Sequence, residues 1–367
     1  MELFFIIITL IYFLIHLYLL SGLNKSLAIK SDAKMELPFV SVIVAARNEK
    51  ANIVKCIESL SKLAYPDRLF EIILVNDNST DNTLGLMTNA VKDFPQFKVI
   101  NSRKYTSDNL KGKANAIDTA IEICKGEIII STDADCEVNS DWLINTVKYF
   151  SEKTGMVCGF TIIKSESSFF AKLQCIDWIY LQTLASSSSG LNLIISCIGN
   201  NLSFRKAVYE MVGGYKSINF SVTEDLALMR KINSGKEFKI VYPVNKECVV
   251  KTLPCQNVSE LMSQKRRWFR GGTDVNFFGY IIGTELYLIN ILLIFGLFIL
   301  SYKLYLLLII FKILSELILI YKVLNKFGQL SLLKYYPLFI FYFAAVGLIL
   351  PWSFLSGRNI NWKGRKL

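Results

Sequence analysis

The chain has 367 residues, of which 52% are hydrophobic and 19% charged, too apolar for an ordinary soluble domain, so part of it is expected in lipid. Its formal charge of +11 is explained by anionic membrane lipids as well as by a nucleic-acid partner, and the membrane surface is the preferred reading, with no nucleic acid expected. One histidine exists, His16, inside an apolar run, which disfavours Ser–His and Cys–His hydrolases and His-ligated zinc and leaves acid–base work to carboxylates.

Residues 3–20 carry no Asp, Glu, Lys or Arg, and such a run rises about 27 Å as a helix, close to the hydrocarbon thickness. It reads as a first span. Basic residues are missing before it, while Lys25, Lys30 and Lys34 follow it, against a cleaved signal peptide and for an N-terminus outside the cell membrane. Residues 25–276 then form a mixed, charged stretch long enough for one α/β domain with a core of its own. Eight cysteines, Cys56, Cys124, Cys136, Cys158, Cys175, Cys197, Cys248 and Cys255, show no Cys-x-x-Cys pair; reduced, cytosolic thiols are expected.

Within that domain, β-type runs alternate with helical ones, as in a parallel sheet wrapped by helices. Residues 39–45 read as a strand, 51–63 as an amphipathic helix, and 70–75 as a second strand after the Tyr65-Pro66 turn. The second strand ends on Asn76, Asp77, Asn78, Ser79 and Asp81, at the sheet edge where open α/β folds bind ligands. Capping of the next helix accounts for Ser79 or Asp81. It does not require Asp77, a candidate ligand-binding residue. A further strand, residues 127–131, runs into Thr132-Asp133-Ala134-Asp135, and paired carboxylates there are costly unless a cation compensates them. Mg2+ or Mn2+ sharing its remaining ligands with a diphosphate is the economical answer. The alternative, a cap for the helix before Trp142, is weakened because Asn139 and Ser140 can fill that role.

Residues 169–184 are amphipathic, suited equally to the membrane interface or to core packing, and the serine tract 186–189 reads as a loop or small-residue bend. Thr223-Glu224-Asp225 has the plain form of a helix N-terminus, with Thr223 as cap. A juxtamembrane basic run, QKRRW (264–268), precedes three apolar stretches at 286–300, 304–324 and 335–355. Four spans result, although four would leave Arg358, Lys363, Arg365 and Lys366 outside, against the positive-inside rule, so one stretch is open to an interfacial reading. Lys312 and Glu316 lie four apart, as a helix in lipid requires of paired charges, and a structural ion pair is preferred to a proton path. The expected organisation is a span in 1–24, a catalytic domain in 25–276 and a membrane region with a basic tail in 277–367. No internal repeat is present.

Together the segments SVIVAARNE (41–49), VNDNSTDNT (75–83), Gly112-Lys113 with Ala116, Thr132 to Asp135, Thr223-Glu224-Asp225 and QKRRW (264–268) resemble glycosyltransferase family 2. Within it, the nearest likeness is to membrane polysaccharide synthases and ceramide-glucosyltransferase-like enzymes. Two positions depart from the usual pattern: Asn76 replaces the first of two aspartates, and Ala45 stands where proline is frequent.

The resemblance implies a GT-A fold, a Rossmann-like α/β nucleotide-sugar domain between one N-terminal and about three C-terminal membrane helices. It implies that Ala46, Arg47, Glu49 and Asp77 line a nucleoside pocket, that Lys113 lies near the nucleotide, and that Asp133 and Asp135 hold ribose, metal and diphosphate. Asp225, with Glu224 beside it, would be the general base in a single inverting displacement. Gln264, Arg267 and Trp268 would close over the diphosphate and face the acceptor, with Gly199 and Asn200 on the acceptor side. The donor expected is a UDP-sugar, and the acceptor a lipid at the cytoplasmic face, because four spans make a poor conduit for a polymer and the tail NWKGR (361–365) resembles lipid-modifying members. Processive synthesis of a cell-surface polysaccharide, by a homo-oligomer or with partner subunits, is the alternative. An inactive nucleotide-sugar binding protein is disfavoured because Asp133, Asp135 and Asp225 are kept, and a transporter because the spans hold too few charges.

Overall fold

The computed structural model describes residues 2–32, 36–104, 109–166, 168–272, 275–354, 361–362 and 365–366. In chain order, helix α1 (Glu2–Leu27) leads to β1 (Val40–Ala46), α2 (Ile53–Leu60), β2 (Phe70–Asn76), α3 (Thr83–Ala90), β3 (Phe97–Asn101), α4 (Gly112–Ile123) and β4 (Ile128–Asp133). Next come β5 (Glu137–Val138), α5 (Trp142–Val147), β6 (Thr154–Cys158), β7 (Thr161–Ile163), α6 (Phe169–Gly190), β8 (Leu202–Arg205), α7 (Lys206–Met211) and α8 (Glu224–Ser234). The chain closes with β9 (Lys239–Val241), β10 (Val250–Thr252), α9 (Val258–Gly271), α10 (Phe277–Ile299), α11 (Tyr302–Lys326), α12 (Tyr336–Ile349) and a tail hairpin of β11 (Asn361–Trp362) and β12 (Arg365–Lys366). These elements fall into two compact units.

The α/β unit comprises Ile29–Ile162 and Cys197–Leu253 with the tail hairpin. Its seven-stranded sheet has the order β3-β2-β1-β4-β8-β6-β9. The first four strands are parallel, and β8 runs against both β4 and β6. Strands β1 and β2 are almost wholly buried, which is why they read as largely apolar and not as alternating runs; the polar Ser41 and Glu71 are hydrogen-bonded to each other at 2.8 Å. Their register places Ala46 level with Asn76 and Ala45 level with Asp133, so three loops leave the sheet along one edge. The strand order turns back between β1 and β4, the switch point where such sheets bind ligands. Beneath it, fully buried Trp142 donates its Nε1 hydrogen to Asn201 Oδ1 at 3.1 Å. Asn201 donates in turn to the carbonyls of Phe160 and Cys248, 2.8 Å each, fixing the segment that follows Gly199.

Asn139 and Ser140 do not cap α5. Its N-cap is Asp141, without a side-chain bond; the Asn139 carbonyl accepts from Trp142 N in a turn instead.

The helical unit comprises Met1–Ala28, Ile163–Ser196 and Pro254–Ile360. Glu2–Leu27, Phe277–Ile299, Tyr302–Lys326 and Leu330–Ile349 are long and apolar enough to cross a membrane. The second begins well before residue 286 because Asn276 caps it, its Oδ1 accepting from Gly279 N at 2.9 Å. Helix α6 takes the core position rather than the interface, its residues buried nearly throughout. Serines 186–189 are not a loop: they are its last turn. A Cβ on Gly22 of α1 would lie 2.0 Å from the Ser187 carbonyl oxygen, and one on Gly190 2.0 Å from that of Gly22. The two backbones therefore touch, and small side chains are what such a crossing admits. Lys312 and Glu316 are paired at 2.6 Å, and Tyr12 and Tyr336 donate to the same carboxylate. His16 donates from Nδ1 to the Tyr12 carbonyl at 2.9 Å, which leaves Nε2 to accept from Tyr180. Of the basic tail, Arg358, Lys363 and Gly364 lie outside the described residues.

Candidate active site

The site grows from the carboxyl ends of β1, β2 and β4. Ala46 accepts from Asp77 N at 2.8 Å, and Arg47 donates from Nη1 to the carbonyls of Asp77 and Asn78, at 2.9 and 2.7 Å. Asn48 and Asn78 both have φ near +50° (53° and 51°), a left-handed conformation that asparagine tolerates better than most residues. They let the two loops turn against each other: Thr80 N donates to Asn48 Oδ1 at 2.8 Å, and Asn48 N to Ser79 Oγ at 3.2 Å. Buried Glu49 accepts from Asn52 Nδ2 at 2.9 Å, while its amide donates to Thr83 Oγ1 at 2.8 Å. Ser79 thus ties the loops, while Asp81 accepts from Lys50 N at 3.3 Å and, as a cap would, from Thr83 N, the first amide of α3, at 3.0 Å; Asn82, at the N-cap position, makes no side-chain bond.

Asp77 is buried, and its Oδ1 accepts from Ser102 Oγ at 3.2 Å. Asn76, in place of the usual acid, donates from Nδ2 to Asn101 Oδ1 at 2.8 Å and accepts from Ser79 N at 3.2 Å. Asn101 and Ser102 were not among the candidates from sequence; the signal was a third strand ending on polar residues at the same edge.

At the end of β4 stand Asp133 and Asp135. Lys113, in the first turn of α4 after Gly112 at φ +59°, lies 2.5 Å from Asp133 Oδ1 and 3.4 Å from Glu224 Oε1. Burial disfavours the charged amine, but Asp133 and Glu224 outweigh it and hold Lys113 above the ordinary lysine range. Burial and then the Asp133 charge push the Asp135 carboxyl up. Among the described residues no three His, Cys, Asp or Glu side chains form a metal cluster. The two carboxylates nevertheless fit a hard divalent ion that takes its other ligands from phosphate and water.

Asp225 lies at the start of α8, its Oδ1 accepting from Leu226 N at 2.8 Å. A Cβ on Gly199 would sit 2.9 Å from Asp225 Oδ2, so the close backbone approach expected of Gly199 is made to Asp225. Ser131, on β4, donates to the Gly199 carbonyl at 3.1 Å and fixes that approach. Asn200 instead accepts from Thr161 at 2.7 Å and is buried. Thr223 is the N-cap of α8 by position only; its hydroxyl engages Ser221 at 3.2 Å and caps no amide. Lys113, Asp133, Glu224, Asp225 and Gly199 are thereby linked, and Ala46, Arg47, Glu49 and Asp77 form a second group on the same edge. Gln264, Arg267 and Trp268 belong to the helical unit, three and four apart on α9 and so on one face.

Residues 41–213 match the model of glycosyl transferase family 2, and residues 128–355 that of glycosyl transferase family group 2. A beta-monoglucosyldiacylglycerol synthase of Nostoc sp. is 31% identical over 250 residues, 66% of this chain and 51% of that protein. A poly-beta-1,6-N-acetyl-D-glucosamine synthase of Staphylococcus epidermidis is 28% identical over 255 residues, 69% of this chain and 58% of that protein. The chain thus spans little more than half the length of these relatives. A mannosyltransferase from Pyrobaculum calidifontis, solved with GDP-Man and Mn2+, shares the fold with a TM-score of 0.61 at 18% identity, covering 95% of this chain and 99% of that one. The chain belongs to glycosyltransferase family 2 and has the GT-A fold, with helices long and apolar enough to cross a membrane.

Proposed function

We propose that the protein transfers one sugar, with inversion, from a UDP-sugar to a lipid acceptor at the cytoplasmic face of a membrane. The observation that carries this reading is Lys113, which joins Asp133 at the end of β4 to Glu224 at the start of α8. It links the carboxylates suited to a nucleotide-bound cation with the acid beside the candidate base. Ala46, Arg47, Glu49 and Asp77 line the nucleoside pocket, and Asp133 and Asp135 hold ribose, diphosphate and a divalent ion, Mg2+ or Mn2+. When bound, such an ion stabilises negative charge on the departing diphosphate. Asp225 takes the proton of the acceptor hydroxyl as that oxygen bonds to the anomeric carbon, and the bond from carbon to the diphosphate oxygen breaks with its electron pair. Gly199 leaves Asp225 its room. Gln264, Arg267 and Trp268 enter by motif resemblance, Arg267 offering a planar fork to phosphate oxygens.

The lipid acceptor is supported by the glucosyldiacylglycerol synthase relative and by the four spans. Lys25 in the last turn of α1 and Lys30 after it, with eight cysteines that include no Cys-x-x-Cys pair, support a cytoplasmic site. A second reading, stepwise polymer synthesis by a homo-oligomer or with partner subunits, is favoured by the poly-N-acetylglucosamine synthase relative. The test is to supply labelled UDP-glucose and UDP-N-acetylglucosamine to the protein in vesicles. Label in solvent-extractable glycolipid is expected; label confined to high-molecular-weight material establishes the second reading instead.

A further inference from the structure

The QKRRW segment holds a residue that the motif does not use. Lys265, only 4% exposed, forms an ion pair with Asp177 of α6, 1% exposed. Asp177 Oδ2 also accepts from Tyr342 of α12 at 3.1 Å, while its Oδ1 has no hydrogen-bond partner among the described residues. The same Lys265 amine stands 4.9 Å above the Trp268 ring, whose other neighbour is Trp178 at 5.1 Å between ring centroids. One turn earlier on α6, Gln174 brackets the backbone of Cys255 just before α9, donating to its carbonyl at 3.0 Å and accepting from its amide at 2.9 Å. Gln174 and Asp177 are three apart and share a face. Helix α9 is therefore tied to α6 at its entry and again in the middle of the motif.

A buried ion pair is a poor device for stability, since desolvation offsets most of the attraction, and fixing an arrangement is the use best attested for one. Here the arrangement fixed is the rotation of α9. With Lys265 held, Trp268 is confined between an ammonium and an indole, and Arg267 and Gln264 follow because they share its face. We propose that Lys265 and Asp177, with Tyr342, form a positioning clamp that sets Arg267 and Trp268 for transfer. This rests on the reading that the motif takes part in the reaction; neither Lys265 nor Asp177 is itself a catalytic residue.

Three variants of the full-length protein in vesicles test it: Asp177→Asn, Lys265→Met and the two combined. The combined variant leaves no unpaired buried charge and separates folding from positioning. With the donor that supports transfer, kcat is expected to fall roughly 100-fold in all three, the scale of a misplacement near 1 Å. Affinity for uridine, which lacks the phosphates that Arg267 would hold, stays unchanged, and the combined variant melts like the wild type. Wild-type kcat in the combined variant would show that only an unpaired charge mattered and would overturn the clamp, as would uridine affinity falling in step with kcat. If the wild type transfers no sugar from any UDP donor, the proposed function fails by itself. The clamp is then judged by tryptophan emission, which it requires to shift to the red in the combined variant; an unchanged spectrum refutes it.

Discussion

Gly199→Ala is a one-methyl test of the candidate base. The new Cβ would meet Asp225 Oδ2 at 2.9 Å, its Cβ at 3.0 Å and its Cγ at 3.2 Å. Ser131 holds the Gly199 carbonyl from β4, so the sheet side is the less able to yield and the Asp225 side chain must move. Opening 2.9 Å to an ordinary contact of 3.4 Å requires a shift of about 0.5 Å. A displacement of ~1 Å at a reacting group costs on the order of 100-fold in rate, so half of that predicts roughly a 10-fold loss in kcat. UDP affinity should be unchanged, because Asp77 and Arg47 leave the sheet on other strands. Asp225→Asn alone should slow transfer by at least ~100-fold, as loss of a general base does. Because both changes act through one carboxylate, Gly199→Ala should cost little more in the Asp225→Asn background. The assay is single-turnover transfer of labelled sugar in vesicles with parallel UDP titration. A Gly199→Ala rate within about 2-fold of wild type, or a full 10-fold loss added on top of Asp225→Asn, would refute the reasoning.

Chelation with EDTA is expected to stop transfer, Mg2+ or Mn2+ to restore it, and Asp135→Ala to resist that rescue, all measurable as product formed per minute. Lys113→Met should leave Asp133 and Glu224 uncompensated and lower both Tm and turnover. Lys113 is held above the lysine range when folded, so its contribution is fully present below the unfolded pKa of about 10.4 and lost as pH rises through the folded value. The Tm gap between wild type and Lys113→Met should therefore stay level from about pH 7 to 10 and narrow only in stronger alkali. Gly22→Ala places a methyl into the Ser187 carbonyl and should destabilise the helical unit by roughly 1–3 kcal/mol, the cost of overpacking; an unchanged Tm in detergent would count against the α1–α6 crossing.

Residues that act through local pattern were legible in the sequence. Strands β1, β2 and β4 declared themselves because both faces are buried and most positions are apolar, and their polar ends marked Asp77, Asp133 and Asp135. The first span was plain from length and charge, and Lys312 with Glu316 from helical spacing alone. What failed was whatever depends on a partner distant in the chain. Residues 186–189 have the composition of a loop, yet they form a buried helical turn because Gly22 lies against them. Thr223 is a local exception: it has the form of a cap, yet Ser221, two residues earlier, takes its hydroxyl. Asn76 reads from sequence only as a missing acid, whereas its hydrogen-bond partner Asn101 is supplied by β3.

Sequence by itself thus determined the family, the alternation of strands and helices, and which side chains stand at the sheet edge, since period, span length and motif order are local properties. Only tertiary structure decided that Lys113 joins Asp133 to Glu224, that α6 is core, and that Lys265 belongs to Asp177. Each of these is a choice of partner for a buried charge or a close-packed backbone. Such a choice is made when the chain folds and removes water from both groups at once, and no window of sequence contains both.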